Sequence, residues 1–509
     1  MKLVRILVWC SIITTVCYFL VQAVAEQKIQ NLIEQKLPEK FTLSYDNLRL
    51  NVFARSLTIE GILFKTNSQN ALDTDFILTL DAITARKIDF ITFINKGNLE
   101  LDVLEVIAPN FKTIQHSLDK NNTNVEQDFP NIAIQSLYIR EAKASYLNTS
   151  KKDTLLWLGS GMASLKNVQF NKEAPQMMTL DTTAIEFNLD DLRFRLNAYE
   201  ILRVESLQIA SGSYTLLNSH LKTIYDWDTY SKKLYHQRDH YNLAIEKIEG
   251  FGLRWPIKNA KVGWISDSLS ISSMDCHIFR DKTLPEETST KTYFMESLSE
   301  LDFPLHLAKI SLANAKLSYF EKTEKSDAPQ PLVFSSIQGD FANVSNQNNK
   351  GLKIHLKSKL MENAPLELKL ETYTDKPMKS FVCTGTLYDF SAGDINPFLG
   401  TNMGVKTKGD VKELYFTMSG SRSGAIGDMK MKYDDFEFEV LKKDLLGVRK
   451  TTSFLLNLLV NRGNKTDENG YRYGDIRVEP ESSKSFTNYL WLGIQDGLLD
   501  AVTGSGKKK

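Results

Sequence analysis

The residues with the best claim to chemistry are the two histidines of "HQRDH", His236 and His240, which stand four apart. On a helix that spacing puts both imidazoles on one face, as zinc-binding helices do. The position after the first histidine is Gln237, where a metalloprotease needs the glutamate that serves as general base. The surrounding "YDWDTYSKKLYHQRDHYN" is dense in tyrosine and charge and reads as a surface helix or loop over a sheet. The closing "GSGKKK" has the composition of a phosphate loop without a strand before it or a helix after it, so Lys507 to Lys509 read as a solvated tail. No G-x-S-x-G occurs, and the scattered Asp and Glu mostly fall on alternate positions of strand-like stretches, where a solvated carboxylate is the default. Cys10 and Cys17 lie in an apolar N-terminal stretch, while Cys276 and Cys383 are far apart with no paired spacing. A bridge between the latter two in an oxidising compartment stays open. The expectation is a chain without catalytic residues, metal or cofactor.

Composition narrows the class. The 509 residues are 42% hydrophobic and 10% aromatic, ample for a large buried surface. Lys plus Arg (62) equals Asp plus Glu (62), so no net field draws nucleic acid or an acidic partner. After Lys2 and Arg5 no charge appears from Ile6 to Ala25, about the 20 residues a helix needs to cross a hydrocarbon core. Ile6, Leu7, Val8, Trp9, Ile12, Ile13, Val16, Phe19, Leu20 and Val21 would face lipid in such an anchor (residues 1–25). The rival is a cleaved secretory signal, since Ala23-Val24-Ala25 is a small-x-small cleavage pattern. The apolar run exceeds the usual signal core, which favours the anchor. Either reading exports the rest of the chain, and Lys2 and Arg5 held inside place it across the membrane.

Residues 26–38, "EQKIQNLIEQKLP", carry Ile29, Leu32, Ile33 and Leu37 at helical spacing before Pro38 and predict a short amphipathic helix. Beyond it the period becomes two. Phe41, Leu43 and Tyr45, then Leu48, Leu50 and Val52, alternate around Asp46 and Asn47, which read as a hairpin reversal. Leu78 and Leu80, Ile354 and Leu356, Leu366 and Leu368, and Met429, Met431 and Tyr433 followed by Phe436, Phe438 and Val440 continue the pattern. One apolar and one polar face predict an antiparallel sheet wet on its outer side. Near the end the helical period returns, from Lys443 to Arg462 and from about Phe486 to Val502 with "YRYGDIRVE" as a strand between them. In the second helix Gly493, Gly497 and Ala501 form a small-xxx-small row whose placement reads as chance, and Gln495 and Asp496 argue against a membrane span.

One phrase recurs. "LEVIAPNF" from Leu104, "LYIREAKASY" from Leu137, "LQIASGSY" from Leu207 and "ISLANAKLSY" from Ile310 each hold two apolar residues two apart, then a small residue three later. The apolar pairs (Leu104 and Val106, Leu137 and Ile139, Leu207 and Ile209, Ile310 and Leu312) share a face. The odd step after each pair flips the face unless the strand kinks or bulges there. A repeated joint predicts a sheet that curves the same way as it lengthens.

These phrases, together with one N-terminal apolar helix, "LSYDNLRLNVFARSLTIEGILFK" and a closing region containing "GTLYDFSAGDINPFLG" and "NYLWLGIQDGLLDAVTG", resemble the AsmA-like envelope proteins of Gram-negative bacteria, including their C-terminal domain. The resemblance covers nearly the whole chain through degenerate patterns rather than a catalytic signature. It implies an elongated, twisted β-sheet forming an open apolar groove, kin to bridge-like lipid transfer proteins. It also implies a single-pass inner-membrane protein with its bulk in the periplasm. The expected organisation is a groove domain over residues 39–441 and a C-terminal helical cap over 442–509. The expected lining is Leu43, Leu78, Leu80, Leu104, Val106, Leu137, Ile139, Leu207, Ile209, Ile310, Leu312, Ile354, Leu356, Leu366 and Leu368, with Tyr489, Leu490, Ile494 and Leu498 as a docking stripe. The expected ligand is membrane phospholipid, which the groove would convey between inner and outer membranes, with an outer-membrane or envelope protein as a further partner. An alternative from another class is a non-enzymatic assembly factor that pairs outer-membrane proteins at a strand edge.

Overall fold

The period-two stretches are strands, and the chain is mainly β. The computed structural model describes residues 22–29, 41–66, 74–115, 131–148, 153–171, 178–181, 184–258, 261–324, 328–347, 350–373, 380–440 and 466–503. The apolar run from Ile6 to Val21, the second half of the 26–38 helix, the helix expected from Lys443 to Arg462 and the Lys507–Lys509 tail lie outside them. Among the described residues no helix is long and apolar enough to cross a membrane.

The chain divides into two compact units, Met1–Leu217 and Asn218–Lys509. In the first, β1 (Phe41–Ser44) and β2 (Asn47–Asn51) both pair with β3 (Ser56–Thr66). They succeed one another along it, so Tyr45 and Asp46 mark an interruption in one strand line, and Asp46 and Asn47 do not form the hairpin expected from the sequence. β3 pairs with β4 (Thr74–Arg86), and β4 with both β5 (Leu99–Ile107) and β6 (Asn110–Gln115). β7 (Ile132–Asn148), β8 (Asp153–Phe170), β9 (Met178–Thr179), β10 (Glu186–Arg195) and β11 (Glu200–Ala210) extend the ladder, β8 pairing with both β9 and β10.

After β12 (Ser213–Thr223), the second unit pairs β13 (Asp239–Phe251) with β17 (Ser268–Asp281). Short β14 (Ile257–Lys258), β15 (Lys261–Val262) and β16 (Trp264–Ser266) lie between them in sequence. From β17 the order runs through β18 (Leu305–Lys322), β19 (Leu332–Ser345), β20 (Lys353–Leu360), β21 (Ala364–Tyr373), β22 (Ser380–Ser391), β23 (Val405–Ser421), β24 (Gly424–Val440) and β25 (Arg472–Val478). A helix Phe486–Thr503 closes the described chain, within a residue of the expected span.

The sheet is mixed, which corrects the antiparallel expectation. β7 runs parallel to β5 and β6, and β18 runs parallel to β16 and β17. One-sided burial gives the same alternation in either ladder, so the pattern is blind to strand direction. Parallel neighbours need a crossover of roughly a dozen residues or more. Residues 282–304, with the short helix Phe294–Ser299, make such a crossover between β17 and β18.

Candidate functional site

Each unit presents one apolar sheet face, assembled row by row from residues directly opposite one another on neighbouring strands. In the first unit one row runs Ile59–Ile83–Val106–Ile139–Ala163–Phe187–Ile209 across seven strands. Beside it run Leu57–Ala85–Leu104–Leu137–Leu165 and Gly161–Leu189–Leu207. Directly opposed residues share a face, so the register brings Leu104, Val106, Leu137, Ile139, Leu207 and Ile209 together as expected. Leu43, Phe64, Leu78 and Phe111 form a further row, and Leu80 opposes Ile62. Phe41, Phe64 and Phe76 cluster there with ring centroids 5.2–5.6 Å apart.

The second unit carries a longer row, Ile248–Ile271–Leu312–Gly339–Leu356–Leu368–Gly385–Phe416–Met429–Gly474. A parallel row is Leu269–Ile310–Phe341–Ile354–Leu370–Cys383–Met418. All six expected residues of this unit, including Leu366 opposite Leu387, lie on these rows or two positions along the same strand. Alternate positions on β20 and β21 carry the wet face. His355 bonds Glu367 at 2.6 Å, Lys369 pairs with Glu367 at 3.1 Å and Lys353 with Glu371 at 3.4 Å.

The odd step of the recurring phrase holds a left-handed residue, joined in the third copy by left-handed Gly212 (φ 75°) in the turn between β11 and β12. Ala108, Glu141, Ser211 and Asn314 each stand just before the small residue of their phrase and have φ of 50°, 54°, 50° and 54°. In β7 and β18 the ladder shifts register there, between Ile139 and Ala142 and between Leu312 and Ala315. The face is kept. On β17, β18 and β19 the left-handed residues Ser273, Asn314 and Ser336 each split an odd step, yet Ile271 and Met274, Leu312 and Ala315, and Phe334 and Ile337 all meet in one apolar cluster. Asp435, φ 47°, performs the same shift between Tyr433 and Phe436 on β24. A strand with such a residue bends and gains right-handed twist while its apolar side stays on one face.

One end of each face is covered, and beyond it buried residues such as Ile209 and Leu312 alternate with half-exposed ones such as Val106, Ile139, Leu356 and Leu368. In the first unit, helix 22–29 and helix Phe90–Lys96 bury Ala25, Ile29, Phe90 and Phe93 against Leu101, Ile134 and Val168. In the second, the C-terminal helix lies on β23 to β25. A Cβ placed on Gly497 would fall 2.7 Å from Ile476 Cγ1, and one on Gly493 would fall 2.5 Å from Met418 Sδ. Gly493, Gly497 and Ala501 are buried, so their spacing is a packing seam and not chance. Tyr489 is buried among Tyr293, Phe381 and Phe486, and Leu490, Ile494 and Leu498 pack on the same core. Of the stripe expected to dock on a partner, Tyr489 is thus buried in this core, while Leu490, Ile494 and Leu498 are half-exposed at its margin. Asp500 and Asp496 accept from the Asp475 and Arg477 N–H groups at 2.7 Å, occupying the free edge of β25.

On β13, β17 and β18 the apolar face ends in charge, a feature the sequence pattern did not flag. Asp239 opposes Arg280, which opposes Glu321. Arg280 donates twice to Asp239 at 2.6 and 2.7 Å, Lys282 reaches Glu321 at 2.7 Å and Tyr319 donates to Glu321 at 2.8 Å. The signal that could have found it is the charge at consecutive same-face positions of three strands, legible only with the register in hand.

The histidine pair does not share a helix. Residues 232–238 are not helical, and His240 is the second residue of β13, with Nε2 2.9 Å from the Tyr225 carbonyl. Cys276 and Cys383 are both free thiols, on strands separated by four others in the ladder, so they form no bridge. Burial pushes the Cys383 thiol up to about 12.

Compared with known proteins, the chain matches no family model and no curated relative.

Proposed function

We propose that the chain is a membrane-anchored, periplasm-facing, non-enzymatic protein of the AsmA-like kind, and that its apolar sheet faces form an open groove that binds phospholipid tails and conveys them between inner and outer membranes. What supports the reading is the apolar rows, continuous across seven strands in one unit and ten in the other, with half-exposed stretches such as Val106 and Ile139, and Leu356 and Leu368, where no helix covers them. Acyl chains leave water at about 0.8 kcal/mol per buried CH₂, so an apolar trough holds tails without any specific polar contact. Retention of the N-terminal run is supported by packing. Ala25 is fully buried, and Gln22 bonds both Leu50 and Val52, so a cut after Ala25 would remove part of the fold. The assembly-factor alternative needs an open strand edge, and that of β25 is taken by Asp496 and Asp500. Native mass spectrometry of the full chain, extracted gently from membranes, tests the reading. Bound diacyl lipid is expected, and a chain that carries only polypeptide, or nothing, refutes it.

A further inference from the structure

Two large apolar side chains stand in the open at one end of the first unit. Phe53, in the turn between β2 and β3, is 87% exposed, and Ile91, on helix Phe90–Lys96, is 75% exposed. The backbone holds them close together. The Ile88 N–H donates to the Arg55 carbonyl at 3.0 Å, and Arg55 Nε donates to the Ile88 carbonyl at 3.0 Å, tying the turn to the start of that helix. Helix 22–29 runs across both. Gln22 Nε2 donates to the Leu50 carbonyl at 2.6 Å and Gln22 Oε1 accepts from the Val52 N–H at 3.0 Å, while the Lys28 ammonium donates to the Ile94 carbonyl. Val24, four residues before Lys28, is also exposed. Val24, Phe53 and Ile91 are thus exposed on helix 22–29, which follows the apolar run Ile6–Val21, and on the two elements bonded to it. Lys28 and Lys96 are exposed beside them, Glu26 is half-buried on helix 22–29, and the nearby Asp89 and Asp102 are engaged. Asp89 caps helix Phe90–Lys96 through Thr92 at 3.0 Å, and Asp102 pairs with Lys87 at 2.9 Å.

We propose that this end of the unit lies against the phospholipid bilayer that the N-terminal run enters, with Phe53 and Ile91 sunk into the interface and Lys28 and Lys96 at the level of the phosphates. The inference rests on the proposed function's retained anchor. The chain itself names the occupant, since Gln22, the first described residue after the apolar run, is bonded to Val52, one residue before Phe53. Large apolar side chains with lysines at their margin are the composition of an interfacial surface, the lysine stems lying along lipid while the ammonium stays in water. Such seating fixes the covered end of the apolar face at the lipid source instead of leaving the unit to swing on one helix.

The test uses the full chain in phospholipid membranes, with a photo-reactive benzophenone side chain at position 53, at 91, or at 235 as control. Tyr235 is 88% exposed and belongs to the other unit. Irradiation should yield phospholipid adducts at 53 and 91 and none at 235. If the chain resists carbonate extraction but gives no lipid adduct at 53 or 91, or crosslinks there to protein, the inference falls and the anchor stands. Release by carbonate together with the absence of adducts overturns both.

Discussion

Asn314 sits in the middle of an 18-residue strand with φ 54°, a conformation that costs most residues about 1–2 kcal/mol and asparagine less. Sixteen non-glycine residues of the described chain have positive φ, and many stand inside strands at the odd steps of the apolar pattern. If the left-handed residue is what keeps Leu312 and Ala315 on one face, its backbone freedom matters more than its side chain. Asn314→Gly should leave urea unfolding within a few tenths of a kcal/mol of the parent, whereas Asn314→Val should lower stability by about 1–2 kcal/mol. Equal effects from the two would show that the side chain, not the conformation, is what the position requires. Sequence spacing announced these joints, because an apolar residue with another three positions later breaks a period of two. It could not say whether the face flips or holds, since that depends on φ at one residue whose types here (Ala, Glu, Ser and Asn) are not all ones that favour it.

At the scale of elements, strands were legible because one-sided burial imprints alternation on each of them, as in Ile354, Leu356, Leu366 and Leu368. Strand direction was not, because parallel β17–β18 and antiparallel β18–β19 impose the same pattern. The small residues of the last helix were misread for a related reason. Glycines four apart carry no hydropathy, so only the opposed Gly474 and Ile476 of β25 show that Gly493 and Gly497 allow the backbones to meet. A Cβ on Gly474 would run into the Gly497 carbonyl and the Ala501 backbone. Gly474→Val should therefore cost about 1–3 kcal/mol by overpacking and loosen the helix, seen as faster amide exchange from Phe486 to Thr503. Unchanged exchange would contradict the seam. Burial raises the Asp496 carboxyl above its ordinary value, against the pull of the Arg477 N–H and charge. A raised folded-state value means the contribution is fully present below the unfolded pKa, about 3.9, and is lost as pH rises through the folded one. Asp496→Asn keeps an acceptor for Arg477 and removes the ionisation. Its unfolding midpoint should gain on the parent's as pH rises from about 4 to about 7, and a gain that shrinks over that range would reverse the assignment.

For the whole molecule, what must hold is that the apolar rows are a lipid surface and not only a core awaiting a better-packed partner. Leu356 and Leu368 oppose each other at the centre of the ten-strand row, between Gly339 and Gly385, and both are half-exposed. A carboxylate at either position can reach water, so the chain should still fold, but a charged pair there interrupts the continuous surface on which acyl chains would lie in that unit. The decisive measurement is native mass spectrometry of lipid carried by the full-length parent and by the Leu356→Asp, Leu368→Asp double variant, with circular dichroism to show that the sheet is intact. The parent should carry diacyl lipid and the folded variant should have lost it. A folded variant with the parent's full complement of lipid would contradict the assignment of this face.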